Sequence, residues 1–351
     1  MSLRGRTVLV TGVSGNLGAR LLPFLTDFHV VGVDMHPPTS LSSQLEFHSM
    51  DLGREASCRE LTTLMRNAGV SAVIHLAFVL DPQRNGILDT ERMWQINVAG
   101  TARVMEAISV VNRTGGEVWQ FIFPSSASAY GPETRGPVRE DAPLMAHSLP
   151  YAIHKKESDE VVRYRVESLG ECRTYILRPH IYVGASMQNY MVGALLGTPM
   201  GKSKRAARMR ARGERLPVLL PRGKEYLGKQ LQFVHVDDMA RLMAYLLYRP
   251  ASDPPVTVLN VAGRGEPLTI ETCARLANAT VKRIPNRAAM DLLLRMMWKL
   301  RISSIPPEAL PYLIGSHTMD TSRLQDFLGR DYPAVIRHTN EEALQDMLAR
   351  Q

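Results

Sequence analysis

The sequence predicts an α/β fold, a doubly wound parallel sheet with a smaller C-terminal lobe, and three observations predict it. Short apolar runs alternate with segments of helical spacing through the first half of the chain. A glycine-rich stretch, Thr11-Gly12-Val13-Ser14-Gly15-Asn16-Leu17-Gly18, directly follows the first run. An acidic residue, Asp34, closes the second.

The runs Thr7 to Val10, Val30 to Val33, Ala72 to Leu76 and Val118 to Phe123 are rich in β-branched or aromatic residues, as strands covered on both faces require. Between them Leu17 to Leu25, Ala56 to Ala68 and Asn97 to Val111 carry helical spacing, so the connections read as right-handed βαβ units. Past about residue 185 the pattern loosens, with breaks at Gly197 to Gly201, Pro217 to Gly223 and Pro250 to Pro255. Residues 1–184 are therefore expected to form the main domain and 185–351 a mixed lobe, with segments near 231–248 and 256–262 returning to the main domain.

A chain of 351 residues, 45% hydrophobic and 22% charged, can bury a large core and carries no bias toward disorder. No charged segment followed by an apolar one precedes Arg6, and no apolar stretch reaches membrane-span length, so a cytoplasmic location is expected. Cys58, Cys172 and Cys273 are odd in number and lack metal-ligand spacing; buried, inert thiols are expected rather than disulfides or a metal site. The net charge of +8 is concentrated: Lys202, Lys204, Arg205, Arg208, Arg210, Arg212 and Arg215 face only Glu214. That run is either a solvated face or an anion site, and no nucleic-acid-binding motif accompanies it.

A glycine turn between a strand and a helix lets phosphate approach backbone N–H groups at a helix N-terminus, which makes a pyrophosphate the natural ligand. Packing glycines alone can produce the same turn. Asp34 lies about twenty residues beyond the first glycine, where a carboxylate accepts from adenosine ribose hydroxyls and repels a 2′-phosphate; NAD is thus expected over NADP. The competing reading makes Asp34 a strand-end turn residue.

Ser125-Ser126 follows an apolar strand, and Tyr151 and Lys155 are four apart on one face of a helical segment. Free tyrosine, with a pKa of about 10, is a poor base at neutral pH. A neighbouring ammonium and a positive nicotinamide ring lower it, so that Tyr151 can exchange a proton with a substrate hydroxyl while Ser126 fixes that oxygen. A tyrosine and lysine at this spacing also arise by chance, as a core aromatic beside a solvated lysine.

Taken together, Thr11 to Gly18, Asp34, Asp51-Leu52, His75-Leu76-Ala77, Asn97 to Thr101, Ser125-Ser126-Ala127, Tyr130-Gly131, Tyr151 to Lys155 and Arg178-Pro179 are similar to the extended short-chain dehydrogenase/reductase family, in its NAD-dependent epimerase/dehydratase branch. Phe233 to Ala240, Met319 to Leu324 and Leu328-Gly329 resemble later segments of the same branch. The likeness spans nearly the whole chain and is weak at 185–230 and 282–317. It implies a Rossmann fold that binds NAD through Gly12, Ser14, Gly15, Asn16, Leu17 and Gly18, with Asp34 on the ribose. It further implies Asp51 and Leu52 at the adenine, Leu76 and Ala77 lining the cofactor, Ser125 touching it, Asn97 toward the nicotinamide end, and Pro179, His180 and Ile181 packed on the nicotinamide. Ser126, Tyr151 and Lys155 carry catalysis in this reading, the last two also touching cofactor.

Some positions depart from the family pattern. His154 stands where a serine commonly precedes the lysine and either touches cofactor or fills the helix surface; the second is expected. His75 is expected to be a satisfied sheet-end histidine, and His235, Asp237 and Asp238 a capping group; no metal is expected.

The resemblance implies epimerisation of a nucleotide sugar, through transient oxidation of a hydroxyl and return of hydride, with the basic run available to a pyrophosphate. The alternative is a one-way dehydrogenase or reductase of an apolar, steroid-like or lipid-derived substrate. A cofactor-sensing protein on a retained fold is a third reading. Met290, Leu293, Leu294, Met297 and Trp298 at helical spacing, with Arg295, Lys299 and Arg301, fit an apolar pocket wall, a membrane-surface contact or a helix packed on the lobe, and the last is expected. The expected partner is a small molecule rather than nucleic acid, with homodimerisation left open.

Overall fold

The computed structural model describes residues 6–39, 44–80, 89–134, 136–184, 187, 189–250 and 252–349. The first apolar run forms β1 (Thr7–Thr11), every residue of it buried. It pairs in parallel with β2 (His29–Asp34), beyond which lies β3 (Leu45–Ser49). On its other side stand β4 (Val70–His75), β5 (Gln120–Pro124) and β6 (Arg173–Pro179), with β11 (Val256–Val261) at the far edge. The sheet order β11-β6-β5-β4-β1-β2-β3 is parallel throughout. Chain order reverses between β1 and β4, which opens a crevice at the carboxyl ends of these strands.

β3 is not among the strands that the sequence pattern announces. Glu46, His48 and Ser49 give it no continuous apolar run, because an edge strand is only half covered.

Two apolar layers hold the sheet. Val8, Val10 and Ile74 on one face pack with Leu21, Met239, Leu242 and Leu324 from the helices Asn16–Leu21, Val236–Leu247 and Ser322–Leu328. Leu9, Val73 and Phe121 on the other pack with Leu61, Val104, Ile108 and Val162 from Ser57–Asn67, Gly100–Arg113 and Pro150–Arg165. Alternate residues of each strand thus serve opposite layers.

The lobe has its own core around Val192, Leu220, Leu294, Leu310 and Leu344. Its short strands β8 (Val218–Pro221) and β13 (Val281–Ile284) pair in parallel, and β9 (Gln230–Leu231) pairs antiparallel with β12 (Leu268–Thr269). β7 (Ile181–Val183) continues from β6 and pairs with β10 (Phe233–His235). Among the described residues, no helix is long and apolar enough to cross a membrane.

A buried polar knot fixes the Pro150–Arg165 helix to the sheet. Arg178 on β6 donates through Nε and Nη2 to both oxygens of Asp159, each at 2.9 Å, and through Nη1 to the Tyr130 hydroxyl at 2.7 Å. Tyr130 in turn donates to Asn260 on β11 at 2.7 Å. The forked guanidinium satisfies the buried carboxylate on two sites.

Candidate active site

The glycine turn closes against the loop that follows β4. Gly12 has φ +72°, and a Cβ there would lie 2.5 Å from the Ala77 amide nitrogen; a Cβ at Gly18 would lie 2.4 Å from the Val13 carbonyl. Only glycine lets these backbones approach. Gly15 caps the Asn16–Leu21 helix, and the half-buried Leu17 packs onto the sheet layer. Asp34 at the end of β2 accepts from Ser14 N–H at 3.1 Å, while the Ser14 hydroxyl donates to the His36 carbonyl at 2.6 Å. Asp51 accepts from Gly53 N–H at 2.9 Å and forms an ion pair with Arg92; Leu52 is buried behind it.

At the end of β4, the His75 imidazole meets Thr11 at 2.6 Å and Thr101 at 3.0 Å, so both its nitrogens are engaged. Burial, with the Lys155 charge nearby, pushes its pKa down to about 3. Leu76 N–H donates to the Thr11 carbonyl at 3.0 Å. Asn97 sits in a π-helical turn, Gln95–Ala99, where the sequence pattern places the start of an ordinary helix. Its side chain accepts from Val79 N–H at 2.7 Å and donates to the Val79 carbonyl at 3.1 Å, clamping the loop after β4. His154 reaches the same amide at 3.2 Å and is buried, which corrects its expected place on the helix surface. Tyr151, His154, Lys155 and Ser158 follow the spacing of one helical face, and that face points inward.

Lys155 is also buried, its Nζ donating to the Pro124 carbonyl at 2.6 Å and lying 3.7 Å from the Phe78 ring centroid. Burial lowers its pKa to about 7, with Asp159 opposing the shift. Burial raises the pKa of the Tyr151 hydroxyl, and the neighbouring Ser126 and Ser128 hydroxyls oppose the rise. Ser126 precedes a 3₁₀ turn, Ala127–Tyr130, which brings the Ser128 hydroxyl to donate to Ser126 Oγ at 2.8 Å. Phe78 meets Tyr151 edge to face, with centroids 5.8 Å apart. Ser125 Oγ is buried and makes no hydrogen bond among the described residues.

Tyr151, Ser126 and Ser128 face a cavity of about 160 Å³, walled on the far side by Pro179, His180 and Ile181. The His180 imidazole bonds the His317 carbonyl at 2.5 Å and stacks on the His317 ring, and burial lowers its pKa to about 4. Leu80, Leu149, Met187, Met191 and Leu313 make most of the remaining wall apolar. Met191 and Leu313 also line a second chamber, which Leu220, Met290, Leu294 and Met297 enclose.

Residues 8–262 match the NAD dependent epimerase/dehydratase family. The chain belongs to this family. UDP-glucose 4-epimerase 2 of Arabidopsis thaliana is 26% identical over 301 residues, covering 80% of this chain and 82% of that protein. UDP-glucose 4-epimerase GEPI48 of Cyamopsis tetragonoloba is 28% identical over 308 residues, 81% of this chain and 83% of that protein. The crystal structure of the Thermus thermophilus UDP-glucose 4-epimerase in complex with NAD superposes with a TM-score of 0.68 at 18% identity, covering 98% of each chain, a likeness of fold.

Around this family site, several residues escape a reading of the sequence alone. Ser128 is signalled by its place two residues after Ser126, Phe78 only by following the His75-Leu76-Ala77 segment, and Tyr312 and His317 come from a region of weak resemblance. No residue from Lys202 to Arg215 lines the cavity over Tyr151. His235 caps the Val236–Leu247 helix by accepting from Asp237 N–H at 3.2 Å, while Asp237 and Asp238 stand in its first turn, near the N-terminus as the sequence predicts. His338 joins it and Asp238 in a group whose ligand atoms lie within 4.8 Å, but Asp238 already accepts from Arg241 and His338. Burial pushes the Cys172 and Cys273 thiols up to about 12. Cys58 is only partly buried, short of the full burial expected, because it packs at the edge of its layer.

Proposed function

We propose that this chain is an NAD-dependent enzyme that oxidises and re-reduces a secondary alcohol of a nucleotide sugar, Tyr151 moving the proton. One observation carries the reading: Tyr151, Ser126 and Ser128 line one cavity at the carboxyl ends of the strands, with Lys155 one helical turn on. The residues present fit the cofactor. The backbone groups of the Gly12 to Gly18 turn would receive its pyrophosphate, Asp34 its adenosine ribose, Asp51 and Leu52 its adenine. Leu76, Ala77 and Asn97 form the wall of the loop after β4, and the buried Ser125 hydroxyl is a donor without an assigned acceptor among the described residues. Pro179, His180 and Ile181 close the nicotinamide end.

Bound NAD supplies hydride acceptance and return at the substrate carbon. Ser126 and Ser128 orient the phenol, and Lys155, when protonated, favours its ionised form. Tyr151 then takes the hydroxyl proton as the carbonyl forms and gives it back on reduction. The curated relatives are named UDP-glucose 4-epimerases, and structures of the same fold hold UDP-glucose or UDP-glucuronic acid with NAD. These names support a nucleotide sugar as substrate.

A second reading, an apolar alcohol or ketone as substrate, draws on the apolar walls of the two adjoining chambers. Mass spectrometry of small molecules retained by the purified protein separates them. A uridine nucleotide retained with NAD supports the first; loss of the first follows if only NAD is retained and hydrophobic ketones alone are reduced.

A further inference from the structure

We propose that the Arg287–Lys299 helix, with the adjoining Lys204–Ala211 helix, forms a docking surface for an anionic lipid bilayer. The proposal stands whichever substrate the enzyme takes. The Arg287–Lys299 helix is apolar on two sides. Inward, Met290 and Leu294 are buried in the lobe core, as the sequence predicts, and with Met297 they wall the second chamber. Outward, Leu292, Met296 and Leu300 follow at intervals of four residues and are 68%, 51% and 53% exposed. That spacing aligns them in a single stripe on the solvent side. A core helix requires only the inner face; among the described residues, none covers the outer stripe.

The cations lie where a headgroup layer would need them. Lys299 and Arg301 are exposed at and just past the end of the same helix, so their aliphatic stems can lie along apolar surface while the charges reach outward; Arg295, also exposed, is paired with Asp291 at 2.6 Å. The chain also binds its second basic element to this corner. Ser203 N–H donates to the Arg301 carbonyl at 3.0 Å and Gly201 N–H to the Ile302 carbonyl at 2.9 Å, which anchors the start of the Lys204–Ala211 helix beside the end of the first. Ser203 caps that helix by accepting from Ala206 N–H at 3.1 Å, and Arg210 donates to the Gly201 carbonyl at 2.9 Å. Lys204, Arg205, Arg208 and Arg212 remain exposed, and none lines either chamber.

An apolar stripe beside clustered cations matches acyl carbon beside anionic headgroups, the arrangement of a helix that rests in a bilayer interface. A single-stranded nucleic acid would use the charges but would gain little from leucine and methionine, because base stacking calls for aromatic faces.

The test is flotation of the full chain with vesicles of phosphatidylcholine alone or mixed with phosphatidylserine. The variants are Leu292→Ser/Met296→Ser/Leu300→Ser and Lys204→Gln/Arg205→Gln/Arg208→Gln, accepted only if melting temperature and NAD binding match the parent. The parent is expected to float with the mixed vesicles and not with phosphatidylcholine, to detach as salt rises, and to lose about ten-fold or more of its partitioning in either variant. Absence of flotation, or equal flotation of parent and both variants, overturns the proposal. So does tight, salt-sensitive binding of polyuridylate by a parent that ignores vesicles, which reassigns the cations to nucleic acid.

Discussion

Lys155 holds its ammonium 3.7 Å from the centroid of the Phe78 ring, and Tyr151 meets that same ring edge to face with centroids 5.8 Å apart. The lysine thus has a π face and the Pro124 carbonyl for partners, and no carboxylate in direct contact among the described residues. These partners offset only part of the cost of burying its charge.

The first prediction follows from that cost. Lys155 titrates at about 7 in the folded chain and at about 10.4 when unfolded. Below the folded value both states are protonated and the folded state bears the whole penalty. Between the two values the unfolded state binds more protons, so stability rises with pH by up to about 1.4 kcal/mol per pH unit. Urea unfolding from about pH 6 to 9, a window spanning the folded value, is expected to show the parent gaining on Lys155→Met as pH rises. A difference that does not change with pH refutes the assignment.

Ser126 and Ser128 both neighbour the Tyr151 hydroxyl, and their own hydroxyls are linked at 2.8 Å. Tyr151→Phe is expected to lower turnover by a factor of about 10² to 10⁴ and to leave NAD affinity within a few-fold. Ser126→Ala alone should cost less than Ser126→Ala/Ser128→Ala, because Ser128 remains as a polar neighbour of the phenol. Steady-state kinetics with a verified substrate and calorimetric titration of NAD measure both.

Arg178 and Asp159 are fully buried and paired through two bonds. Removing Arg178 leaves the buried Asp159 carboxylate with only the exposed Arg163 guanidinium, at 3.2 Å, to compensate its charge. Arg178→Met is expected to destabilise the chain by about 3 to 5 kcal/mol, and Arg178→Met/Asp159→Asn to recover part of the loss. Chemical denaturation reads this directly, and similar losses in the single and double variants would place the effect in packing instead.

Most legible in the sequence is what depends on short-range pattern. The strands on which chemistry hangs are continuous apolar runs, and the close approach of Gly12 to Ala77 admits no other residue type. Tyr151 and Lys155 share a face by spacing alone. What stays hidden depends on partners far along the chain. His154 reads as a surface position because nothing local announces that its imidazole meets Asn97, 57 residues away. The His338 ring that stacks on His235 arrives from the C-terminal segment. β3 goes unseen since an edge strand need not be apolar, and the π turn at Asn97 because its hydrogen-bond slip leaves no compositional trace.

Asp34 accepts from Ser14 N–H, which holds its carboxylate at the mouth of the glycine turn. A 2′-phosphate there would bring like charges together, so NAD is expected to bind more tightly than NADP, and Asp34→Ser to narrow or reverse the ratio. Parallel titrations of both cofactors decide it. Equal affinities in the parent would remove Asp34 from cofactor choice.

Epimerisation and net dehydrogenation place different demands on the same cavity. An epimerase keeps its ketone intermediate and reduced cofactor together until hydride returns, so product forms without NADH build-up and without continuous supply of NAD. A dehydrogenase releases one reduced cofactor per turnover. The role proposed for Tyr151 would serve both, because proton transfer at one oxygen is common to the two. What differs is how the substrate is held opposite Pro179 to Ile181 while the carbonyl exists. Absorbance of reduced nicotinamide, followed together with product analysis on UDP-glucose, other nucleotide sugars and apolar alcohols, discriminates. The expected result is a converted nucleotide sugar with no accumulated NADH. Stoichiometric NADH with a nucleotide sugar would retain the substrate class and reject epimerisation. Activity confined to apolar alcohols would reject both, and the leucine and methionine walls of the two chambers would then define the substrate.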